Sequence, residues 1–393
     1  MMARLGDICE ILNGYAFKSE KYISSGIRII RIANVQKGYI EDTAPSFYPI
    51  DTPDVEKYIL YEDDLLISLT GNVGRVALLK KEFLPAALNQ RVACLRLKNG
   101  VPYDKSFLYC FLNSDYFENE CIQSAKGVAQ KNMSTEWLKT YEIPNFSLEK
   151  QSEISTVLNK VSNLINTRQQ QLSKLDELVK SRFVELFGDP KRNPNSYDVV
   201  PFNDCVEYMG DIGSNGANKV VVEHLDMKDE EDYALMVRFL NFTKNDFTDD
   251  IKYVSKEAYD FFKKSQIFGG ELIICKIGSA GQNYVMPYLN RPVSLGLNQI
   301  MVRINNKTIM PYLYQYLNTD YGKQLIDGCI NGAVTKSITK TELKKIPVIV
   351  PPIELQNQFE DFVKQIDKSK LSIQQSLEKL ETLKKSLMQQ YFG

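Results

Sequence analysis

Residues 172–188 read LSKLDELVKSRFVELFG and residues 377–393 read LEKLETLKKSLMQQYFG, two segments that close on the same Phe-Gly pair 205 positions apart (393 minus 188). The correspondence runs backward along the chain at the same offset. Leu138, Ile143, Gln151, Ile154, Leu158 and Val161 meet Leu343, Val348, Gln356, Phe359, Val363 and Ile366. Similarity at a fixed offset marks a duplicated unit, so a pseudo-twofold molecule is expected.

Within each copy the apolar residues step by four and three. The first seam runs from Ile154 through Leu158, Ile165, Leu172 and Leu175 to Leu186, and the second from Phe359 through Val363, Ile373, Leu377 and Leu380 to Tyr391. A stripe of this period held over about five heptads is a coiled-coil signal. Pro144 in one copy and Pro347, Pro351 and Pro352 in the other mark the helix entries, since proline and its predecessor fit poorly inside a helix. At about 1.5 Å per residue, a helix from Glu149 to Phe187 would be roughly 58 Å long. A twofold arrangement requires the two rods to run antiparallel, which predicts a dumbbell with a head at each end.

The heads fall on Leu5 to Leu97 and Phe202 to Ile304, where short β-rich runs alternate with Gly, Pro and Asn punctuation. Arg31-Ile32-Ala33-Asn34 matches Arg238-Phe239-Leu240-Asn241, and the apolar runs after Asp64 and Glu271 match as well. The turn Gly71 to Gly74 matches Gly278 to Gly281, and Leu88-Asn89-Gln90 is read against Leu297-Asn298-Gln299 after a two-residue adjustment. The intervening loops differ. The resulting expectation is an α+β chain with heads at 1–148 and 196–350, helical spacers at 149–195 and 351–393, and two mostly β domains joined by two long antiparallel coiled-coil helices.

The 393 residues, 44% hydrophobic, suffice for two or three cores. No run of 18 apolar residues occurs and Met1 to Glu10 is charged, so a cytoplasmic protein without membrane contact is expected. The seven scattered cysteines lack a C-x-x-C spacing and read as reduced core thiols. A net charge of -1 does not favour nucleic-acid binding, so any DNA contact must use local basic patches or a partner's charge.

Catalytic motifs are missing. His224 lies in an acidic run beside Glu223, and no metal-ligand spacing, phosphate loop or dinucleotide fingerprint is present. Pro351-Pro352 lacks the flanking residues of the adenine-holding motif of amino methyltransferases. Other candidates are polar or basic residues at repeated landmarks, whose chemistry would suit DNA, since Arg can read guanine, and Asn or Gln adenine. The candidates in the first head are Arg31, Asn34, Lys37, Arg75, Asn89, Gln90, Arg91 and Lys131, and in the second Arg238, Asn241, Lys244, Ser279, Asn298, Gln299 and Lys336. Residues identical in both heads are expected to be scaffold or phosphate contacts, with specificity where the heads differ. The two G-x-x-G turns serve either as tight turns or as phosphate cradles.

The stretch DLLISLTGNVG (64–74), the Leu-Asn-Gln runs, the Pro351-Pro352-x-x-x-Gln356 helix entry and the ending LKKSLMQQYF (383–392) together resemble the specificity subunit of type I restriction-modification systems. The resemblance spans essentially the whole chain, in both copies. It implies a non-catalytic subunit whose two target recognition domains read the unlike halves of a split double-stranded DNA site, with the helices setting the unread spacer and docking two methyltransferase subunits. It also implies that S-adenosylmethionine, ATP and magnesium belong to the methyltransferase and restriction subunits, with no cofactor or metal in this chain. Phe146 and Ser147 stand where the second copy has Pro351 and Pro352, which puts the rigidity of the first helix entry in doubt. The alternatives are a specificity-like subunit of a type IIB enzyme, a coiled-coil adaptor whose heads bind protein, and an enzyme in its own right.

Overall fold

The computed structural model describes residues 2–52, 55–125, 132–332 and 335–393. The chain divides into two units, Met1–Gln169 with Gln374–Gly393, and Gln170–Ile373.

The head of the first unit is built on two four-stranded sheets. One runs in the order Cys9–Asn13, Val92–Leu97, Leu65–Ser68, Val76–Leu78, all antiparallel. The other runs Phe47–Tyr48, Ile27–Ile30, Ala86–Leu88, Ile59–Leu60, with its two central strands parallel. Leu65–Ser68 is buried throughout because its alternate residues enter different cores: Leu65 and Ile67 face a cluster with the helices, and Leu66 faces the cluster shared with the second sheet. The head of the second unit repeats both strand orders, with Val206–Gly210, Gln299–Ile304, Leu272–Cys275, Asn283–Val285 and Lys252–Val254, Ala234–Val237, Val293–Leu295, Gln266–Ile267. There too Leu272 and Ile274 face one core and Ile273 the other.

Central strands correspond at an offset of 207 (234 minus 27, 272 minus 65, 299 minus 92). An ion pair with a buried carboxylate repeats with them. Arg96 grips Asp64 through Nε at 2.8 Å and Nη2 at 2.6 Å, and Arg303 Nε meets Glu271 Oε1 at 3.3 Å. The carboxylates are buried and also accept backbone N–H groups, Tyr61 onto Asp64 and Phe268 onto Glu271. Each guanidinium lies over the matching ring, Tyr61 at 4.5 Å or Phe268 at 4.9 Å.

The long helices, Leu148–Phe187 and Ile353–Phe392, have 40 residues each. The repeated glutamine at each entry is a staple between chain segments. Gln151 Oε1 accepts from Asp104 N while its Nε2 donates to Phe146 O, both at 2.8 Å; Gln356 Oε1 accepts from Ile309 N at 3.0 Å and its Nε2 donates to Pro351 O at 2.8 Å. At the first entry Ser147 replaces the second proline as a cap, its Oγ accepting from Lys150 N at 3.3 Å. The loss of the prolines is therefore met by a different helix-starting device.

In each unit the opening of one long helix shares a core with the closing turns of the other, the antiparallel arrangement expected from the repeat. In the first unit Phe392 sits among Phe107 and Phe111, at 5.6 and 5.3 Å between ring centres, in a core that also takes Ile154 and Leu158. In the second, Phe187 meets Tyr312 at 4.8 Å and Phe359 at 5.7 Å. Of the seam residues, Leu158 and Ile165 are buried; Leu172, Leu175, Val363, Ile373, Leu377 and Leu380 are half-buried. Leu175 and Val363 pack on the core of the second unit.

Among the described residues no helix is long and apolar enough to cross a membrane. The seven cysteines are free and six are buried. Burial pushes the Cys9 thiol up to about 12 against the opposing pull of Lys98, which makes it an unreactive packing group.

Candidate nucleic-acid interface

In each head three segments meet at one junction. The first is the corner that follows the central parallel strand, Asn89 to Arg91 or Gly296 to Asn298. Asn89 N donates to Ile30 O at 3.2 Å and Gly296 N to Val237 O at 2.8 Å. The second is the residue leading into the G-x-x-G turn: Leu69 N donates to Arg91 O at 3.0 Å, and Lys276 N to Asn298 O at 2.7 Å. The third is the return toward the long helix, where Met133 N donates to Leu69 O at 2.8 Å and Ile338 N to Lys276 O at 3.0 Å. The first two contacts keep the 207 offset, so Asn89 corresponds to Gly296, Gln90 to Leu297 and Arg91 to Asn298. This corrects the alignment of the two Leu-Asn-Gln runs, which share letters but lie two residues out of structural register.

Gln299 is not at the surface. It opens the strand Gln299–Ile304 at the position of Val92, is 1% exposed, and faces inward with neither amide atom hydrogen-bonded to a described residue. Asn34 and Asn241 are likewise interior scaffold. Each accepts the backbone N–H of Arg31 or Arg238 at 2.9 Å, and Asn34 also donates to Glu41 O at 2.7 Å. Their amide edges close a tight helical turn, and in this geometry they present no edge to a base.

The repeated basic residues are largely engaged. Arg31 Nη2 donates to Ala44 O at 2.9 Å, and Arg238 Nη2 pairs with Asp250 Oδ1 at 3.0 Å. Lys37 bridges Asp115 and Glu118 at 2.6 Å each; burial alone would lower its pKa, but these two partners raise it. Lys244 lies 3.7 Å from Asp250, and Arg75 donates to Gln36 Oε1. Gln90, Arg91, Ser279, Asn298 and Lys336 are exposed. Arg31, Asn89, Gln90 and Arg91 line one open hollow of about 340 Å³. Lys131 lies outside the described residues.

The geometry of the G-x-x-G turns accounts for their second glycine as a tight-turn and packing residue. Gly74 and Gly281 have φ near 86° and 87°, and a Cβ there would strike Cys121 Cβ at 2.7 Å or Ile326 Cγ2 at 2.5 Å, so these glycines are packing requirements. Gly71 and Gly278 also have positive φ, but a Cβ there would meet no described residue within 4 Å. The second glycine seats the turn on a helix, and the first does not.

One feature of the second head escaped the repeat-based reading. Asp211, 8% exposed at its side chain, holds Lys276 Nζ on Oδ2 and Lys340 Nζ on Oδ1, both at 2.8 Å, and Lys340 also donates to Ser214 Oγ at 2.9 Å. Burial works to raise the Asp211 carboxyl, but the two ammonium groups and Ser214 bring it down to about 2. Two half-exposed lysines on one carboxylate leave a net positive charge beside the Gly278 turn. The first head has Leu69 and Thr135 at the lysine positions, so no sequence repeat marks the cluster. His224 is stacked on Phe261 at 3.9 Å.

A family model described as type I restriction modification DNA specificity domain matches the chain twice, over residues 1–177 and 209–384. The chain is similar to the type I restriction enzyme EcoAI specificity subunit of Escherichia coli, 38% identical over 45% of this chain and 30% of that protein. It is also similar to the EcoBI specificity subunit of Escherichia coli, 20% identical over 99% of this chain and 84% of that protein. Against the EcoAI subunit and the MjaVIII specificity subunit of Methanocaldococcus jannaschii, the matched part spans less than half of the relative's length. The crystal structure of a type I restriction-modification S subunit from M. genitalium shares the fold with a TM-score of 0.58 at 16% identity, covering 100% of this chain and 96% of that one.

Proposed function

We propose, from the premise that this chain belongs to the type I restriction modification DNA specificity domain family, that it is the DNA-reading subunit of a type I restriction-modification complex. In this reading each head recognises one half of a split duplex target, and the two halves differ. The single observation that carries it is the duplicated junction, where equivalent backbone hydrogen bonds in both heads hold different exposed side chains. A protein reading two unlike half-sites needs that combination of constant positioning and variable contact.

The chain supplies recognition and leaves the chemistry to partners. Two methyltransferase subunits bring S-adenosylmethionine, restriction subunits bring ATP-dependent cleavage with magnesium, and the assembly works in the cytoplasm. Lys276, Lys340 and Lys336 contact phosphates at the second head, while Arg31 and Arg238 brace the loops around each reading corner. With a net charge of -1 the subunit alone binds DNA weakly, and affinity develops in the assembled complex. The 40-residue helices, about 60 Å each at 1.5 Å per residue, fix the number of unread base pairs.

The test is a base-resolution methylation map of DNA from a modification-free host expressing this chain with its cognate methyltransferase. A methylated split motif with unlike halves is expected. An assembled, active complex that methylates a continuous motif, or two identical halves, would refute the reading.

A further inference from the structure

We propose that the corner after the central parallel strand is the base-reading element of each head, with Gln90 and Arg91 setting one half-site and Leu297 and Asn298 the other. The inference rests on the reading of this chain as a specificity subunit and deepens it to named residues.

Four observations converge on these positions. They are structurally equivalent at the 207 offset, and each corner is pinned at both ends by the same backbone hydrogen bonds to its parallel strand and to the residue entering the G-x-x-G turn. All four are exposed, Leu297 by 44%. No side-chain hydrogen bond ties Gln90 or Arg91 to a described residue, in contrast to Lys37 and Arg75 of the same head, whose donors are engaged. Finally, the two corners differ in side-chain chemistry and in the backbone conformation of Arg91 and Asn298, while the hydrogen bonds that pin them match.

The chemistry predicts what each reads. In the major groove an arginine fork suits guanine O6 and N7, and glutamine suits adenine N6 and N7. Leucine offers an apolar surface to the thymine methyl, and asparagine suits adenine. The corner of the first head therefore reads a step containing a G·C pair, and the corner of the second reads A·T pairs. Asn298 has φ of 62°, a left-handed conformation that asparagine tolerates better than most residues, so the second corner offers a short side chain where the first offers a long one.

The experiment compares methylation maps of the wild type, Q90L/R91N and L297Q, each co-expressed with the cognate methyltransferase in a modification-free host. Expected is a changed or relaxed base preference in one half-site for Q90L/R91N and in the other half-site for L297Q, with spacer length constant. Both variants methylating the wild-type motif with unaltered preference at every position would overturn the assignment. If a variant complex assembles without methylating, its affinity for duplexes substituted at each motif position decides. Loss of about tenfold or more in discrimination, confined to one half-site, supports the corner; uniform weakening with discrimination intact overturns it. A wild type that shows no split motif sinks the specificity-subunit reading itself, and the corner with it.

Discussion

Replacing Phe392 by alanine probes whether the closing turn of the second long helix belongs structurally to the first head. Phe392 is 7% exposed and lies between Phe107 and Phe111. A buried phenylalanine removes about 200 Å² from water, and at about 25 cal/mol per Å² that is worth about 5 kcal/mol, part of which the alanine methyl retains. Each edge-to-face ring contact adds about 0.5–1.5 kcal/mol, while partial collapse of the cavity recovers some of the loss, so about 3–5 kcal/mol is expected. Native-state hydrogen exchange is the suitable assay because it reads each unit separately. Protection should fall for the amides of Phe107 to Leu112 and persist for those around Tyr312 in the second unit. Phe392→Leu should recover more than half of the loss, and Gln390→Ala, at an exposed position of the same turn, should change protection by less than about 0.5 kcal/mol. A loss below about 1 kcal/mol for Phe392→Ala would refute the packing argument, as would equal losses in both units.

Inserting four residues after Leu172 lengthens the first long helix by about 6 Å, approaching two base pairs of duplex rise, so the methylated motif should gain a longer spacer or vanish; an unchanged spacer would sink the idea that the helices set it. Replacing Lys276 and Lys340 together by alanine should lower the slope of log affinity against log salt by about two in the assembled complex, without altering base preference, and an unaltered slope would exclude phosphate contact by that pair. The Asp211 carboxyl, held at about 2 against an ordinary 3.8, contributes stability that is fully present above about pH 4 and lost as pH falls through about 2. Urea unfolding across that window should show a steeper acid loss for the wild type than for Asp211→Asn, and matching slopes would contradict the ion-pair geometry.

Much of this architecture was legible because it is periodic or repeated. The seam of fours and threes located both helices, and the matched glutamines Gln151 and Gln356 pointed to a shared entry device before their hydrogen bonds were visible. Where sequence reasoning failed, it matched letters instead of backbone. The Leu-Asn-Gln runs invited a two-residue adjustment, yet the parallel pairings Ile30 with Leu88 and Val237 with Leu295 hold the offset at 207. Asparagines 34 and 241 have the right chemistry for reading adenine, but a side chain that completes a tight turn is buried by that task, and only tertiary structure reveals it. Asp211, Lys276 and Lys340 are separated by 65 and 129 residues and converge through the fold, so neither spacing nor repetition announces them.

The same geometry separates what stabilises a head from what it reads. Changing Leu66, Arg96 or Asp64 disturbs a close-packed strand or an ion pair whose carboxylate is buried, and removing Arg96 leaves that carboxylate without its partner. Changing Gln90 or Leu297 alters an exposed side chain on a corner whose backbone is fixed by other residues, a class of substitution worth about ±0.5 kcal/mol to folding. A contact held on rigid backbone also loses less freedom on binding than one carried by a loose loop, so more of its interaction energy is available for discrimination. New base preferences are therefore reachable at the corner with little loss of stability, whereas the equivalent change at Asn34 or Arg303 would first have to preserve the fold.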